Sequence, residues 1–324
     1  MKGIKMKLTV VIPAYNASAL ILPTIQSVLD AVDLEPEIIV VDDGSTDDLV
    51  GALEPLIEQG KVMLFRQSNS GGPASPRNKG VASATGEYVL FLDSDDVLVS
   101  SQILPTLAQL DANPEVTMAC GNFDITDSDL NVTIPRNIDR YRTFQAVLKE
   151  PLDHAAWLIS SNDAVRTLLQ TNYIGTSSVI ARRAALNRAG SFDESMKNLD
   201  DRDMWIRLAQ LGPIIYRSDV FYLYRDVAGS VSKQRQVEQF RERVKVADKV
   251  LLNSANRQIR REAKKWRAKS LLKIGYILFH ERGDRLNARS AFVGSFASWP
   301  TLPAFKGVIK SLLPERLYQR FAKP

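Results

Sequence analysis

Tyr88-Val89-Leu90-Phe91-Leu92-Asp93-Ser94-Asp95-Asp96 decides how this chain folds. Five consecutive apolar residues, too few for a helix and without alternation, suit a strand buried on both faces, as in a parallel sheet. The run stops abruptly on a cluster of carboxylates. Working outward, Leu8 to Ile12, Glu37 to Val41, Val62 to Phe65 and Val116 to Ala119 have the same character. Helical patterns separate them at Ile21 to Leu29, Asp47 to Glu58, Arg77 to Ala84 and Gln102 to Leu110. Ser45 with Asp48 resembles a capping arrangement for the second helix. Strand alternating with helix predicts right-handed crossovers and an open α/β sheet.

Such sheets bind ligands beyond the carboxyl ends of their strands. Polar clusters stand at those ends: Pro13-Ala14-Tyr15-Asn16, Asp42-Asp43-Gly44-Ser45, Asn69-Ser70-Gly71-Gly72 and Asp93-Ser94-Asp95-Asp96. Four loops are therefore expected to converge on one rim. Residues 121–232 read as a mixed α+β continuation, with strands at Tyr173 to Ala181 and Ile214 to Tyr224 and a helix at Asp201 to Leu211. From Val237 onward the pattern is helical. The expected organisation is a catalytic domain at 1–232 and a basic helical extension at 233–324.

The 324 residues are 45% hydrophobic and 24% charged, enough apolar material for a large core. A single cysteine, Cys120, excludes an internal disulfide and a cysteine zinc site, and fits a reducing cytoplasm. Cys120 itself is expected at a buried strand end. His154 and His280 are the only histidines and carry no metal-ligand spacing; a loop or cap position and a helix end are expected for them. No stretch approaches the roughly 18 apolar residues of a membrane span. Residues 233–324 hold 22 Lys+Arg against 7 Asp+Glu, a net +15, which leaves the rest of the chain at −10.

Asp93 and Asp95 sit one residue apart at a strand end, so both can face the same side. Hard divalent cations take carboxylate and phosphate oxygens, and a departing diphosphate needs such a cation. The same residues can instead cap a helix starting at Ser100 or Ser101. Asp43 can accept a hydrogen bond from a base imide or a ribose hydroxyl, or serve only as a turn residue before Gly44. No Gly-x-Gly-x-x-Gly turn precedes it, which argues against a dinucleotide fold. Arg77, behind two glycines, can pair with phosphate or carboxylate, or lie exposed in the first turn of a helix. Asp201 and Trp205 are four apart and share a helix face. A carboxylate at a helix start beside an aromatic surface suits a general base next to a sugar, although Trp205 can equally be a core residue.

The run Val10-Val11-Ile12-Pro13-Ala14-Tyr15-Asn16, then Val41-Asp42-Asp43-Gly44-Ser45-Thr46-Asp47, Arg77-Asn78-Lys79-Gly80, and Gly86-Glu87-Tyr88 leading into Phe91-Leu92-Asp93-Ser94-Asp95-Asp96, resembles the family 2 glycosyltransferases. Asp200-Asp201 before Trp205 resembles the family's acidic pair before a tryptophan. The resemblance spans roughly Leu8 to Ser232. It implies a GT-A fold, a Rossmann-like mixed sheet flanked by helices, with a nucleoside-diphosphate sugar as donor, Mn²⁺ or Mg²⁺ as cofactor and inversion at the anomeric centre. It also implies residue roles. Pro13, Ala14 and Tyr15 would border the base. Asp43 would bind the base and Arg77 the nucleotide or diphosphate. Asp93 would contact the ribose or metal shell, Asp95 would ligate the metal, and Asp201 would deprotonate the acceptor, with Asp200 and Trp205 binding that acceptor. The family often places a histidine before the Gly-Ser of an exit loop. Arg225-Asp226-Val227-Ala228-Gly229-Ser230 has none, and Arg225 or Asp226 is the candidate substitute. The glutamine-arginine-tryptophan signature and the spans of processive synthases are absent, which favours single addition. UDP is the expected nucleotide, by resemblance only, and the expected acceptor is a glycan or lipid-linked glycan.

Basic residues with Trp266, Phe296, Trp299 and Phe305 among them suit contact between 233–324 and an anionic membrane at the inner face of the cell. A helical cap with a solvated basic face is the plainer alternative. No nucleic-acid-binding module is present. Two rivals remain for the whole chain. A degenerate sugar-nucleotide or glycan binder would not need Asp93, Asp95 and Asp201. A sugar-nucleotide pyrophosphorylase would carry a Gly-rich, Arg- and Lys-containing loop where this chain has Pro-Ala-Tyr-Asn.

Overall fold

The apolar runs pair side by side. Strands β1 (Leu8–Ala14), β2 (Glu37–Asp42), β3 (Met63–Arg66) and β4 (Tyr88–Phe91) are mutually parallel in the order β3-β2-β1-β4. A computed structural model describes residues 8–30, 35–226 and 236–313, which divide into two compact units, 1–230 and 231–324. Strands β5 (Val97–Leu98), β6 (Met118–Thr126), β7 (Val132–Ile134), β8 (Glu150–Pro151), β9 (Ala156–Ile159), β10 (Ile180–Arg182) and β11 (Ile214–Arg225) complete one mixed sheet. Its order is β3-β2-β1-β4-β10-β6-β11-β9-β8, with β5 beside β11 and β7 beside β6. β10 is antiparallel to both its neighbours, and β11 is parallel to β6.

The chain steps outward from β1 to β2 to β3, then returns to the other side of β1 for β4. That reversal opens a crevice beyond the carboxyl ends of β1 and β4, where open α/β sheets bind ligands. The strands Val10–Ile12, Ile38–Val41 and Tyr88–Leu92 are buried on both faces, as their unbroken apolar runs require. Helices α1 (Ile21–Leu29), α2 (Leu49–Glu58) and α3 (Ala74–Ser83) link β1 through β4 in turn, and α4 (Ile103–Ala112) leads from β5 to β6. Helix α3 lies so close to β1 that a β-carbon on Gly80 would stand 2.2 Å from Val11 Cγ1. This position admits no side chain, and the close approach brings the start of α3 to the rim.

Two local expectations are corrected. Asp48, not Ser45, caps α2, accepting the Gly51 N–H at 3.2 Å, while Ser45 turns toward the first loop. The expected strand Tyr173 to Ala181 shrinks to β10, preceded by a 3₁₀ turn at Thr176–Ser178. There the serine side chains hydrogen-bond Gly175 O and Asp96, competing with a strand ladder.

The remaining helices of the first unit are α5 (Arg142–Gln145), α6 (Ser161–Gln170), α7 (Arg183–Ala189) and α8 (Asp200–Leu211). Three acidic residues in the first turn of α8 suit the positive end of its dipole. In the second unit α9 (Gln236–Asn253), α10 (Arg257–Tyr276), α11 (Arg285–Ser298) and α12 (Leu302–Leu312) pack in sequence, with Ile274, Leu278 and Phe292 in a small core. Among the described residues no helix is long and apolar enough to cross a membrane.

Candidate active site

Arg77 organises the rim. It enters from the first turn of α3, and its two terminal nitrogens donate to Asp93 Oδ1 at 2.7 Å and to Asp200 Oδ2 at 2.8 Å. Asp93 follows β4, and Asp200 opens α8. One guanidinium thus ties together segments 16 and 123 residues away. Arg77 is 4% exposed, so it is not the solvated helix residue that its position allowed. Burial alone would lower its pKa, but the charges of Asp93, Asp200 and Asp201 outweigh that and hold it firmly cationic.

The carboxylates around it are destabilised as anions. Burial and the nearby Asp93 charge push Asp95 up to about 6. Burial and Asp200 push Asp201 up to about 6, against the pull of Arg77. Asp200 is also raised by burial, which Arg77 offsets only in part. Asp201 is half-buried at the start of α8, and Thr176 Oγ1 lies 3.5 Å from its Oδ2. Neither Asp93 nor Asp95 caps α4: that helix starts behind Gln102 and has no side-chain cap.

The neighbouring loops are knitted to one another. Asn16 Oδ1 accepts the Thr46 N–H at 2.8 Å, and Asn16 N–H donates to Ser45 Oγ at 3.0 Å. The buried Asp43 receives the Ser70 hydroxyl at 2.9 Å and the Gln67 amide at 2.7 Å, so its carboxylate braces the glycine loop. Gly44 adopts φ +77°, and a β-carbon there would stand 2.7 Å from the Asn69 nitrogen. Pro13 and Ala14 are buried, and Tyr15 beside them is 52% exposed at the rim.

Trp205 does not offer a platform to an acceptor. It is 0% exposed, edge-on to Phe192 and tilted against Phe91, because its helix face points into the core. Asp200, 2% exposed, is likewise spent on Arg77 rather than open to an acceptor.

Three further residues contribute: Asp96 from the acidic motif, Arg225, which the sequence offered in place of the family's histidine, and Lys197, which had no sequence signal beyond its charge. Asp96, 1% exposed, accepts the Ser177 hydroxyl and the Arg225 N–H at 3.3 Å, and so ties the acidic loop to β11. Arg225 also donates through Nε to Asp95 O at 3.2 Å. It therefore braces the acidic loop where a histidine was expected nearby; residues 227–230 lie outside the described residues. Lys197 Nζ donates to Ser70 O at 2.7 Å, next to Gly71 and Gly72, and brings a cation to the glycine loop.

Among the described residues no three His, Cys, Asp or Glu side chains converge on a metal position. The donor set nevertheless fits a magnesium-type ion. Burial and the Asp93 charge make the Asp95 anion costly, which a bound cation would relieve, and a substrate diphosphate is the usual source of further oxygens.

A switch-point crevice rimmed by carboxylates is the place where open α/β sheets of this kind bind their ligands. Residues 9–184 match the profile of Glycosyl transferase family 2, more than half of the chain. The chain belongs to that family and is a glycosyltransferase with the GT-A fold. It is 25% identical over 230 residues to the glycosyltransferase GlyG of Streptococcus pneumoniae, covering 70% of this chain and 73% of that one. It is 41% identical over 103 residues to the poly(ribitol-phosphate) beta-glucosyltransferase of Bacillus spizizenii, covering 31% of this chain and 16% of that much longer protein. The structure of S. aureus TarS 1-349 in complex with UDP-GlcNAc superimposes with a TM-score of 0.70 at 20% identity, over 98% of this chain and 92% of that one.

Cys120 is buried as expected, but inside β6, which runs on to Thr126, rather than at a strand end; burial pushes its thiol up to about 12.

Proposed function

We propose that this glycosyltransferase transfers one sugar, with inversion, from a UDP-sugar to a glycan or lipid-linked glycan, with divalent-metal assistance. The observation that carries the reading is the constellation around Arg77. One buried cation ties Asp93, which follows β4, to Asp200 at the start of α8, and leaves Asp95 and Asp201, both raised to about 6, outside its hydrogen bonds. The UDP-GlcNAc complex of TarS supports the donor class, and the name of the Bacillus relative supports a polymeric acceptor.

In this reading Tyr15 flanks the base, with Pro13 and Ala14 shaping the backbone beneath it. Asp43 acts through the glycine loop it braces. Lys197 brings positive charge to the glycine loop that a diphosphate meets, and Arg77 holds Asp93 and Asp200 in place beside it. Asp93 and Asp95 would hold Mg²⁺ or Mn²⁺, which when bound neutralises charge developing on the leaving diphosphate. Asp201 accepts the proton of the acceptor hydroxyl. That oxygen then attacks the anomeric carbon from the face opposite the diphosphate, and the old glycosidic bond leaves with its electron pair on the diphosphate.

We further assign residues 1–232 as the catalytic domain and 233–324 as a basic extension that contacts an anionic membrane. Leu302, Phe305, Ile309 and Leu312 are exposed on α12, with Lys306 and Lys310 among them, so the apolar and basic components share one helix.

Release of nucleoside diphosphate, screened over UDP-, GDP- and dTDP-sugars with and without Mn²⁺, tests the reading. UDP-sugars with metal are expected to turn over. Turnover of every donor in the presence of chelator would refute the metal assignment.

A further inference from the structure

At the other end of the sheet lies a cavity of about 350 Å³, within the range of small-ligand sites. It is walled by β9, the start of β11 and the segment 136–148 between β7 and β8. Trp157 and Leu148 supply apolar surface; Arg136, Asp139, Gln145 and Ser218 supply hydrogen-bonding groups. Tyr216 also lines it, is 1% exposed, and its hydroxyl has no hydrogen-bond partner among the described residues. A buried orphan hydroxyl is costly, and a ligand hydroxyl would satisfy it.

The polar wall is built in advance. Fully buried Asn122 donates to Asp139 Oδ1 at 2.7 Å, and Arg136 Nε donates to Asp139 Oδ2 at 2.6 Å. The Arg136 backbone, at φ 45°, is pinned by its N–H to Asp124 at 2.7 Å. Because the guanidinium and the carboxylate neutralise one another, the cavity does not favour an anion. An indole and several hydrogen-bonding groups lining one cavity, with no net charge, match a neutral pyranose ring, apolar on one face and hydroxylated at its edge.

We propose that this cavity is a second saccharide-binding site, separate from the reaction centre. Tyr216 and Arg225 pair with Cys120 and Thr126 on β6, six residues apart across the irregular stretch of β11 between Arg217 and Tyr222, roughly 20 Å at about 3.3 Å per residue. A sugar in the cavity is therefore too far away to be the reacting one, and belongs to the body of a long acceptor that the enzyme retains. The binding chemistry stands without the acceptor reading; the retention role rests on it.

The test uses the full chain and a panel of methyl glycosides of glucose, galactose, mannose, N-acetylglucosamine and N-acetylgalactosamine, followed by saturation-transfer NMR and calorimetry. At least one glycoside is expected to bind at millimolar concentration in the presence of saturating UDP. Trp157→Ala should abolish that binding. Tyr216→Phe should weaken it about 3–10-fold, as loss of one hydrogen bond does, while the free protein melts no lower than wild type, since only an orphan hydroxyl is removed. UDP affinity should be unchanged in both. If no glycoside binds, or binding survives Trp157→Ala with a native melt, the cavity is not a saccharide site. If binding is lost but the KM for long acceptors does not rise, the retention role fails and the site stands.

Discussion

Replacing Arg77 by methionine tests the organisation of the whole rim. The substitution keeps the length of the side chain and removes the cation between Asp93, a third exposed, and Asp200, 3% exposed. Asp93 can turn to water. Asp200 cannot, and breaking a buried pair on one side costs about 3–5 kcal/mol. For a unit of this size that is a melting point lowered by roughly 6–20 °C, at about 2–4 °C per kcal/mol. The cost should depend on pH with a definite sign. Without Arg77 the pKa of Asp200, already raised by burial, rises further above its unfolded value of about 3.9. The folded state then holds a proton that the unfolded state has lost, so stability falls as pH rises, by at most about 1.4 kcal/mol per unit, until Asp200 ionises in the folded state. Scanning calorimetry at pH 5.5 and pH 8 should show the larger loss at pH 8. Arg77→Met with Asp200→Leu should recover most of the loss, since an apolar replacement of a buried pair is often neutral. A loss under about 1 kcal/mol at pH 8, or a double variant no better than the single one, would refute the argument that this pair joins α3, β4 and α8.

Asp201→Asn should lower turnover by about 10²–10⁴-fold, the usual contribution of a general base, with nucleotide affinity nearly intact; an active Asp201→Asn beside an Asp200→Asn that is inactive yet natively folded would identify the wrong carboxylate. In the wild type, kcat/KM should rise with pH through about 6 as Asp201 loses its proton, and the Asn variant should lose that limb. Calorimetry of UDP with Mn²⁺ should show tight binding that Asp95→Ala abolishes, and wild-type metal affinity should fall below pH 6, where protons compete for Asp95. Flotation with anionic vesicles should weaken with salt, at about 1 kcal/mol per basic residue near the surface, and Phe305→Ser with Ile309→Ser should reduce it; equal flotation of wild type and variant would dismiss α12 as the contact.

Local physics made much of this molecule legible in its sequence. Unbroken apolar runs such as Tyr88 to Leu92 can satisfy themselves only in a sheet covered on both sides, and the chain must turn where they end, so the rim loops are visible as polar punctuation. Their order identified the fold and the acidic residues at its edge. Distant partners were not visible. That Arg77 meets Asp200, that Trp205 is buried against Phe91 and Phe192, and that β10 enters antiparallel between β4 and β6 are consequences of register between segments up to 123 residues apart. The cavity lined by Trp157 and Tyr216 was equally hidden, for its walls come from β9, β11 and the segment 136–148, which only the tertiary structure brings together. Periodicity records which face of a segment is apolar; which other segment covers that face is settled only when the whole sheet closes its hydrogen bonds and excludes water.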